Sequence, residues 1–450
     1  MKYHNFKKLF DTSQNILFLL ERYNIEGLKM NNKILHTYEI ARERYEDIGI
    51  NTEKIIARLK EIPISIHAWQ GDDVGGFERP NAEITGGGII ATGNYPGKAR
   101  NIQELQQDLK KALSLIPGSH RINLHSFHGN FGPKFVERNQ YLPEHFQCWI
   151  DWAKENNLKL DFNSTLFSHP KADDGFTLSS KSKEIRQFWI EHVCRCREIS
   201  AEIGKQLESP CIHNIWIPDG LKDIPIDRKG YRELLKNSLD AILEKKYPTS
   251  EMKDTIEGKL FGIGSESFVV GSYDFYLSYA IANQMMVTLD TGHFHPTESV
   301  GDKISAILPF IPEIMLHISR GVRWDSDHVV IVSDELIQLT EEIVRSNNID
   351  RIHLGLDYFD ASINRIGAWV IGVRAVQKSL LYALVQPWDI LKEYEENSQY
   401  FQRLALLEEL KTLPFGAVWD YFCLTNNVPI GSNWMKEIEN YERDILFKRT

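Results

Sequence analysis

The chain has 450 residues, 42% of them apolar and 25% charged, and a formal net charge of −10 at pH 7. Such a balance suits a globular protein with a sizeable core. It disfavours nucleic acid as a partner, because duplex phosphates repel that average surface and no basic stripe with interleaved aromatics offsets it. The apolar run at 16–20 is far short of the ~20 residues a membrane span needs. Five cysteines, an odd number, with no signal peptide predict a reducing, cytoplasmic compartment. Cys194 and Cys196 lack a second pair at zinc-finger spacing and read as buried or incidental thiols.

Residues 1–29 carry mixed charge and a partly helical pattern, and read as an N-terminal helical extension. Met30, an alternative start, opens the helical stretch MNNKILHTYEIARERYEDIGI. Short β-rich runs then recur: IPISIHAW (62–69), RINLHSF (121–127), KLDFNSTLF (159–167), CIHNIWI (211–217), a weak DTIEGKLFGI (254–263), MMVTLDTGHF (285–294), EIMLHISR (313–320) and RIHLGLDYF (351–359). Helical patterns such as NIQELQQDLKKALSLI (101–116) and residues 183–207 separate them. Parallel neighbours require a crossover, so strands alternating with helices predict a parallel sheet. Eight such units suit an α/β fold of the (β/α)8 TIM-barrel type, with a doubly wound sheet as the alternative. Residues 381–450 continue as a helical tail, with a long helical pattern at 389–413. The expected organisation is therefore an extension at 1–29, a catalytic barrel at 30–380 and a C-terminal helical region at 381–450. The tail's apolar face would lie on its own barrel or on another subunit.

Several motifs fail on their own terms. ATGNYPGKAR (91–100) has one residue too few between its glycines for a phosphate loop, and Ala99 stands where a Mg2+-binding hydroxyl is needed. GGGIIA (86–91) follows no convincing strand and opens no helix, so it reads as a loop rather than a dinucleotide site. Neither G-x-S-x-G nor H-E-x-x-H occurs.

One constellation survives. Glu257 and Lys259 follow the fifth strand, Asp290 and His293 the sixth, His317 with Asp325 and Asp327 the seventh, and Asp357 the eighth. Barrel active sites are built at this end of the strands. Singly, each residue has an ordinary structural reading. Asp290 could cap a turn, His317 could be a satisfied core histidine, Asp325 and Asp327 could cap a loop, and Lys259 and Glu257 could be solvated. Together, five carboxylates on one rim must protonate, pair or bind metal, and one lysine cannot neutralise them. Oxygen and nitrogen donors without thiolate suit Mn2+, Mg2+ or Co2+, and seven ligands suit two ions better than one.

E-x-K (257–259), D-x-x-H (290–293), D-x-D (325–327) and the lone strand-end Asp357 resemble the metal site of the xylose-isomerase-like barrel superfamily. The longer motifs HAWQGDDVGGFE (67–78), ATGNYPGKARN (91–101), DFN (161–163), NIWIPDG (214–220), KLFGIGSES (259–267), LDTGHFHPTE (289–298), RWDSDHVV (323–330) and GLDYFDASINR (355–365), in that order, resemble the L-rhamnose isomerase family from about residue 35 onward. The resemblance implies a metal-dependent aldose–ketose isomerase interconverting L-rhamnose and L-rhamnulose, the first step of L-rhamnose catabolism. Hydrogen would move between C1 and C2 by hydride shift or enediol. It further implies two divalent ions per subunit, usually Mn2+, and a homotetramer.

One ion would be held by Glu257, Asp290, His317 and Asp357. The other would be held by His293, Asp325 and Asp327, near Glu257. In the same resemblance, Lys259 stabilises charge at O1, Asp325 and Asp357 hold a catalytic water, and His125 assists ring opening. Trp216 and Trp69 would form aromatic walls, and Val74 and Phe359 a pocket for the C6 methyl. The segment SFHGNFGP (126–133) departs from the family pattern, with Phe127 and His128 in its variable part. A methyl contributes only about 1–3 kcal/mol of discrimination. An isomerase of a related aldose with broader specificity therefore stands as an alternative, beside a two-metal barrel hydrolase and a non-enzymatic sugar binder. Trp324 and His328 read as packing residues.

Overall fold

A computed structural model describes residues 30–78, 91–259, 267–322 and 325–449. The extension 1–29, residues 86–90 of the glycine-rich motif and Trp324 lie outside the described residues. Among the described residues ten strands are defined: β1 (Ile64–His67), β2 (Arg121–His125), β3 (Lys159–Ser164), β4 (Cys211–Trp216), β5 (Gly220–Leu221), β6 (Met252–Glu257), β7 (Phe268–Val269), β8 (Met286–Asp290), β9 (Ile314–Ile318) and β10 (Ile352–Leu356). Eight of them close a parallel barrel in the order β1-β10-β9-β8-β6-β4-β3-β2. β1 pairs with both β10 and β2, which excludes the open doubly wound sheet.

All eight strands expected from the sequence form. β6 begins two residues before its predicted run and ends at Glu257. The short antiparallel pair β5–β7 was not legible. It depends on Gly220, where a Cβ would stand 2.3 Å from the Phe268 carbonyl oxygen. The helical patterns form at 30–46, Ile102–Leu113 and Lys183–Leu207. The pattern at 389–413 splits into Trp388–Glu396 and Tyr400–Leu410, because Ser398 turns into the left-handed region with φ +57°.

The chain forms two compact units. One comprises residues through Ala57 with Val385–Asn433, and is helical where described. The other comprises Arg58–Leu384 with Trp434–Thr450, and contains the barrel. Among the described residues, no single helix is long and apolar enough to cross a membrane.

The barrel interior is layered because residues two apart on a strand share a face. Arg121, Asp161, Ile212, Met286 and Met315 lie one step toward the N-terminal end. Asn123, Asn163, Asn214, Thr288 and His317 lie one step above them on the same strands. In the lower layer, Arg121 donates from Nε and Nη2 to the two Asp161 oxygens at 2.8 Å each, while Ser65 Oγ and the Ile212 amide donate to the same carboxylate. Burial pushes the Asp161 carboxyl up, but Arg121 reverses this and holds it below its ordinary range. Arg121→Met strands a buried anion and is expected to cost about 3–5 kcal/mol in a denaturant titration. A loss under about 1 kcal/mol would show that the pair is dispensable.

Candidate active site

Each local motif folds for a reason visible in its hydrogen bonds. In Asp290-Thr-Gly-His293, Asp290 Oδ1 accepts the Gly292 amide at 2.6 Å, a turn characteristic of Asp. Thr291 Oγ1 accepts the Ser319 amide at 2.8 Å and so ties the turn to the end of β9. Gly292 is required by proximity: a Cβ there would stand 2.9 Å from both Asp325 Oδ1 and Ser319 Oγ. The turn-capping reading of Asp290 thus holds for one oxygen. Its Oδ2 is buried and has no hydrogen-bond partner among the described residues.

The loop after β9 is closed at its neck, where Arg320 and His328 exchange backbone hydrogen bonds of 3.2 and 3.3 Å. His328 Nδ1 lies 3.0 Å from Ser326 Oγ, a structural position at the loop neck. Asp327 adopts φ +44°, so Asp325 and Asp327 are presented by a turn rather than by an extended strand.

These elements bring the predicted ligands together. Donor atoms of Glu257, Asp290, His317 and Asp357 lie within 4.8 Å of one another, as do those of Asp290, His293 and Asp325. Asp327 lines one cavity with Glu257, His293, Asp325 and Asp357 but belongs to neither group. His317 Nδ1 is 3.3 Å from both Glu257 Oε2 and Asp357 Oδ2. Neither approach is directed as a hydrogen bond, and among the described residues both His317 ring nitrogens are without such a partner. His293 Nδ1 lies 2.9 Å from the Gly258 carbonyl oxygen and 3.2 Å from Glu257 Oε1, while its Nε2 is 3.2 Å from Asp325 Oδ2.

The charges in this cluster are mutually forced. Burial pulls both imidazoles down, but Glu257 and Asp357 lift His317, and Asp290 and Asp325 lift His293, well above the ordinary range. Burial pushes Glu257 and Asp325 up, and neighbouring cations more than reverse it. His317 and His293 act on Glu257, His293 and Lys259 on Asp325, so both carboxyls stay below their usual range. Burial, with carboxylate neighbours acting against His293, pushes Asp290 up to about 7. Burial and then Asp325 raise Asp327 well above a normal carboxyl. Among the described residues the donors are oxygen and nitrogen only, and Asp290 Oδ2, Asp325 Oδ1 and the His317 nitrogens are buried without hydrogen bonds. This set fits hard divalent cations.

The remaining predicted residues surround the cluster. Lys259 Nζ is 2.9 Å from Asp325 Oδ2 and 4.9 Å from the Trp216 ring centroid. Burial pulls the ammonium down, but Asp325, Asp327 and Asp290 raise it above its usual value and keep it charged. His125 Nδ1 is 3.0 Å from Thr165 Oγ1, and burial pushes the ring well below its usual range, so it is a neutral imidazole.

Opposite the acids, Trp69, Val74, Phe127, Phe167 and Trp216 form one apolar cluster with Phe359 packed against it. Trp69 is more than a wall, because its Nε1 donates to Asp357 Oδ1 at 3.0 Å. Trp69→Phe keeps the wall and deletes that donor. Loss of such an orienting partner typically costs 10–100-fold, so kcat is expected to fall about 10-fold with KM little changed. A kinetic comparison returning wild-type kcat would remove the orienting role.

Val74, a β-branched residue at φ +59°, follows Asp73 at φ +55°, an unfavourable pair of conformations. The pair is held by Arg365, whose Nε and Nη2 donate to the Asp73 carboxylate at 2.7 Å each. Phe127 brings part of the atypical 126–133 segment into the apolar wall. His128 instead anchors behind it, with Nε2 3.1 Å from Asp72 Oδ2. Three cavity-lining residues escaped the sequence reading: Asn163, Asn214 and Phe167. The first two sit in the DFN and NIW motifs at positions whose strand parity faces inward, a signal that was present but unused.

The family model described as L-rhamnose isomerase (RhaA) matches residues 32–449. The L-rhamnose isomerase of Bacteroides thetaiotaomicron is 57% identical over 422 residues, covering 94% of this chain and 100% of that protein. That of Rhodopirellula baltica is 52% identical over 413 residues, covering 92% of this chain and 96% of its own length. That of Enterobacter sp. is 52% identical over 420 residues, covering 93% and 100%. The chain belongs to the L-rhamnose isomerase family.

Proposed function

We propose that the protein is a metal-dependent aldose–ketose isomerase that interconverts L-rhamnose and L-rhamnulose, the first step of L-rhamnose catabolism. The observation that carries this reading is a single cavity lined by members of both carboxylate–imidazole groups, Glu257 and Asp357 of one and His293 and Asp325 of the other, with a charged lysine and an apolar wall. L-Rhamnose has matching ends, with reactive oxygens at C1 and C2 and a methyl at C6.

In this reading Glu257, Asp290, His317 and Asp357 hold one divalent ion. His293, Asp325 and Asp327, next to Asp290 and Glu257, hold a second. The oxygen and nitrogen donors support manganese. When bound, the ions polarise the sugar carbonyl. Lys259, kept cationic, donates to O1 as negative charge develops there. Asp325 and Asp357 hold the water that relays the proton between O1 and O2. His125, neutral and buried, faces the ring form of the sugar and exchanges a proton during opening. Trp69, Val74, Trp216 and Phe359 exclude water from the apolar end.

Five free cysteines support a cytoplasmic enzyme, and the net charge of −10 disfavours nucleic acid as a partner. We assign catalysis to 30–380 and assembly of a homotetramer to 381–450. Exposed Tyr400, Phe401 and Leu404 on one helix of the tail support the second assignment. The wall residue Phe127, from the segment that departs from the family pattern, favours one further reading, an isomerase accepting related aldoses as well.

Incubation of Mn2+-loaded protein with L-rhamnose, beside L-mannose and L-lyxose, tests the reaction and its breadth through ketose formation. No ketose from any of the three sugars would reject the isomerase. Arg365→Met releases the Asp73–Val74 clamp. It is expected to shrink the kcat/KM preference for L-rhamnose over L-mannose, which carries a hydroxyl at C6, by up to about 10-fold. An unchanged ratio would separate the clamp from specificity.

A further inference from the structure

Directly beneath the ligand cluster runs a chain of buried amides and hydroxyls with a single sense. Asn214 Nδ2 donates to Glu257 Oε2 at 2.5 Å and to Asn163 Oδ1 at 3.1 Å. Thr288 Oγ1 donates to Asn214 Oδ1 at 2.9 Å. Because the single Thr288 hydroxyl proton is used there, the 2.8 Å contact between Thr255 and Thr288 hydroxyls has Thr255 as donor. Asn163 Nδ2 continues the chain to Asn123 Oδ1 at 2.7 Å. Every member is buried.

Such a chain admits one orientation of the Asn214 amide. Turned over, its oxygen would face two acceptors, Glu257 Oε2 and Asn163 Oδ1, and its NH2 would exchange both for the Thr288 hydroxyl alone, which would then have to accept rather than donate. Three asparagines and two threonines inside barrel strands are an expensive way to fill space, since each buried polar group must be satisfied. What they achieve is a fixed N–H aimed at one oxygen of Glu257. The other oxygen, Oε1, lies toward His293, and Oε2 also lies toward His317. Glu257 therefore spans both ligand groups, and its torsion determines the geometry of each.

We propose that Asn214 is a positioning residue for Glu257, and that Thr288, oriented by Thr255, sets the sense of the Asn214 amide so that the carboxylate is held ready to ligate a divalent ion. The inference rests on the reading of Glu257 as a metal ligand and extends it to residues that need touch neither metal nor sugar. The Thr288 hydroxyl reaches Glu257 through Asn214, while β8 also pairs Thr288 with Glu257 in register, so comparing Val with Ser at position 288 isolates the effect of the hydroxyl.

The test is calorimetric titration of the full-length, metal-stripped protein with Mn2+, comparing wild type with Thr288→Val, Thr288→Ser and Asn214→Ala. Circular dichroism establishes folding. Outer-shell partners of metal ligands typically change affinity 10–100-fold when removed. Thr288→Val is expected to weaken Mn2+ binding about 10-fold or more, Asn214→Ala at least as much, and Thr288→Ser to restore near-wild-type affinity. A role in packing alone would leave Mn2+ affinity of the folded variants unmoved. Wild-type affinity in either folded Thr288→Val or folded Asn214→Ala, or a Ser variant as impaired as Val, overturns the proposal. Failure of both Thr288→Val and Asn214→Ala to fold overturns it too, by making the chain a structural element of the barrel. Parallel assays of wild type with L-rhamnose keep the two readings apart: weakened Mn2+ binding in the variants without any ketose from wild type would leave this inference standing and reject the isomerase.

Discussion

Removing divalent metal is expected to suppress ketose formation by about 10³-fold or more, and Mn2+ to restore it. A bound ion contributes several kcal/mol of charge stabilisation to a polarised carbonyl, and each 1.36 kcal/mol is a factor of ten in rate. The protein's own groups cannot substitute. Among the described residues Lys259 is the one lysine ammonium lining the cavity, and its charge is already engaged with Asp325 at 2.9 Å. His293 and His317 can carry protons, but a protonated imidazole can no longer offer that nitrogen as a ligand. Metal removal should also lower the melting temperature, since an ion binding only the folded state stabilises it by mass action. Four of the carboxylates it would bridge, Glu257, Asp290, Asp325 and Asp357, are packed within the two donor groups. Dialysis against chelator, followed by activity and melting measurements with and without Mn2+, checks both. Full turnover in protein shown to be metal-free would remove the metal from the mechanism.

Lys259→Met is expected to lower kcat about 10²–10³-fold while leaving KM within a few-fold. Methionine approximates the length and the apolar stem, so the packing over Trp216 persists. What disappears is a positive N–H donor in a buried site, whose removal typically costs that factor when charge develops in the transition state. Asp325 also loses its 2.9 Å partner and should bind metal at least as tightly, so weakened Mn2+ binding is not expected. Steady-state kinetics at saturating Mn2+ separate the outcomes. A variant with normal kcat and raised KM would recast Lys259 as a sugar-binding residue. Lys259→Arg should not rescue, because the planar guanidinium cannot occupy the space of an ammonium seated between Asp325 and the Trp216 ring.

The eight barrel strands were legible because apolar, β-branched runs recur between helical stretches, a local signal that barrel closure reinforces. The ligands were legible because E-x-K, D-x-x-H and D-x-D each place two functional groups a few residues apart, at strand ends where barrel chemistry occurs. Contacts between distant segments were less visible. The Trp69 bond to Asp357 joins residues 288 apart, and nothing local marks that indole as an orienting donor. Asn163 and Asn214 were passed over because asparagine is depleted from strands and reads as a turn former. Only assembly of the barrel shows that their amides are satisfied by one another and by Glu257, Thr288 and Asn123 on neighbouring strands. The β5–β7 pair has two residues per strand, too short for any period to register, and forms through the close approach at Gly220. The left-handed Asp327 follows from the closed loop neck at Arg320 and His328 rather than from the D-x-D spacing.

Crystals grown with Mn2+ and L-rhamnose, measured at the manganese absorption edge, test the central claim most directly. The account predicts two anomalous peaks per subunit. One is ligated by Glu257, Asp290, His317 and Asp357. The other is ligated by His293, Asp325 and Asp327, with the sugar's C1 and C2 oxygens within reach and its methyl against Val74 and Phe359. A sugar bound in this cavity with no manganese peak beside it, or manganese bound only elsewhere on the chain, would contradict it.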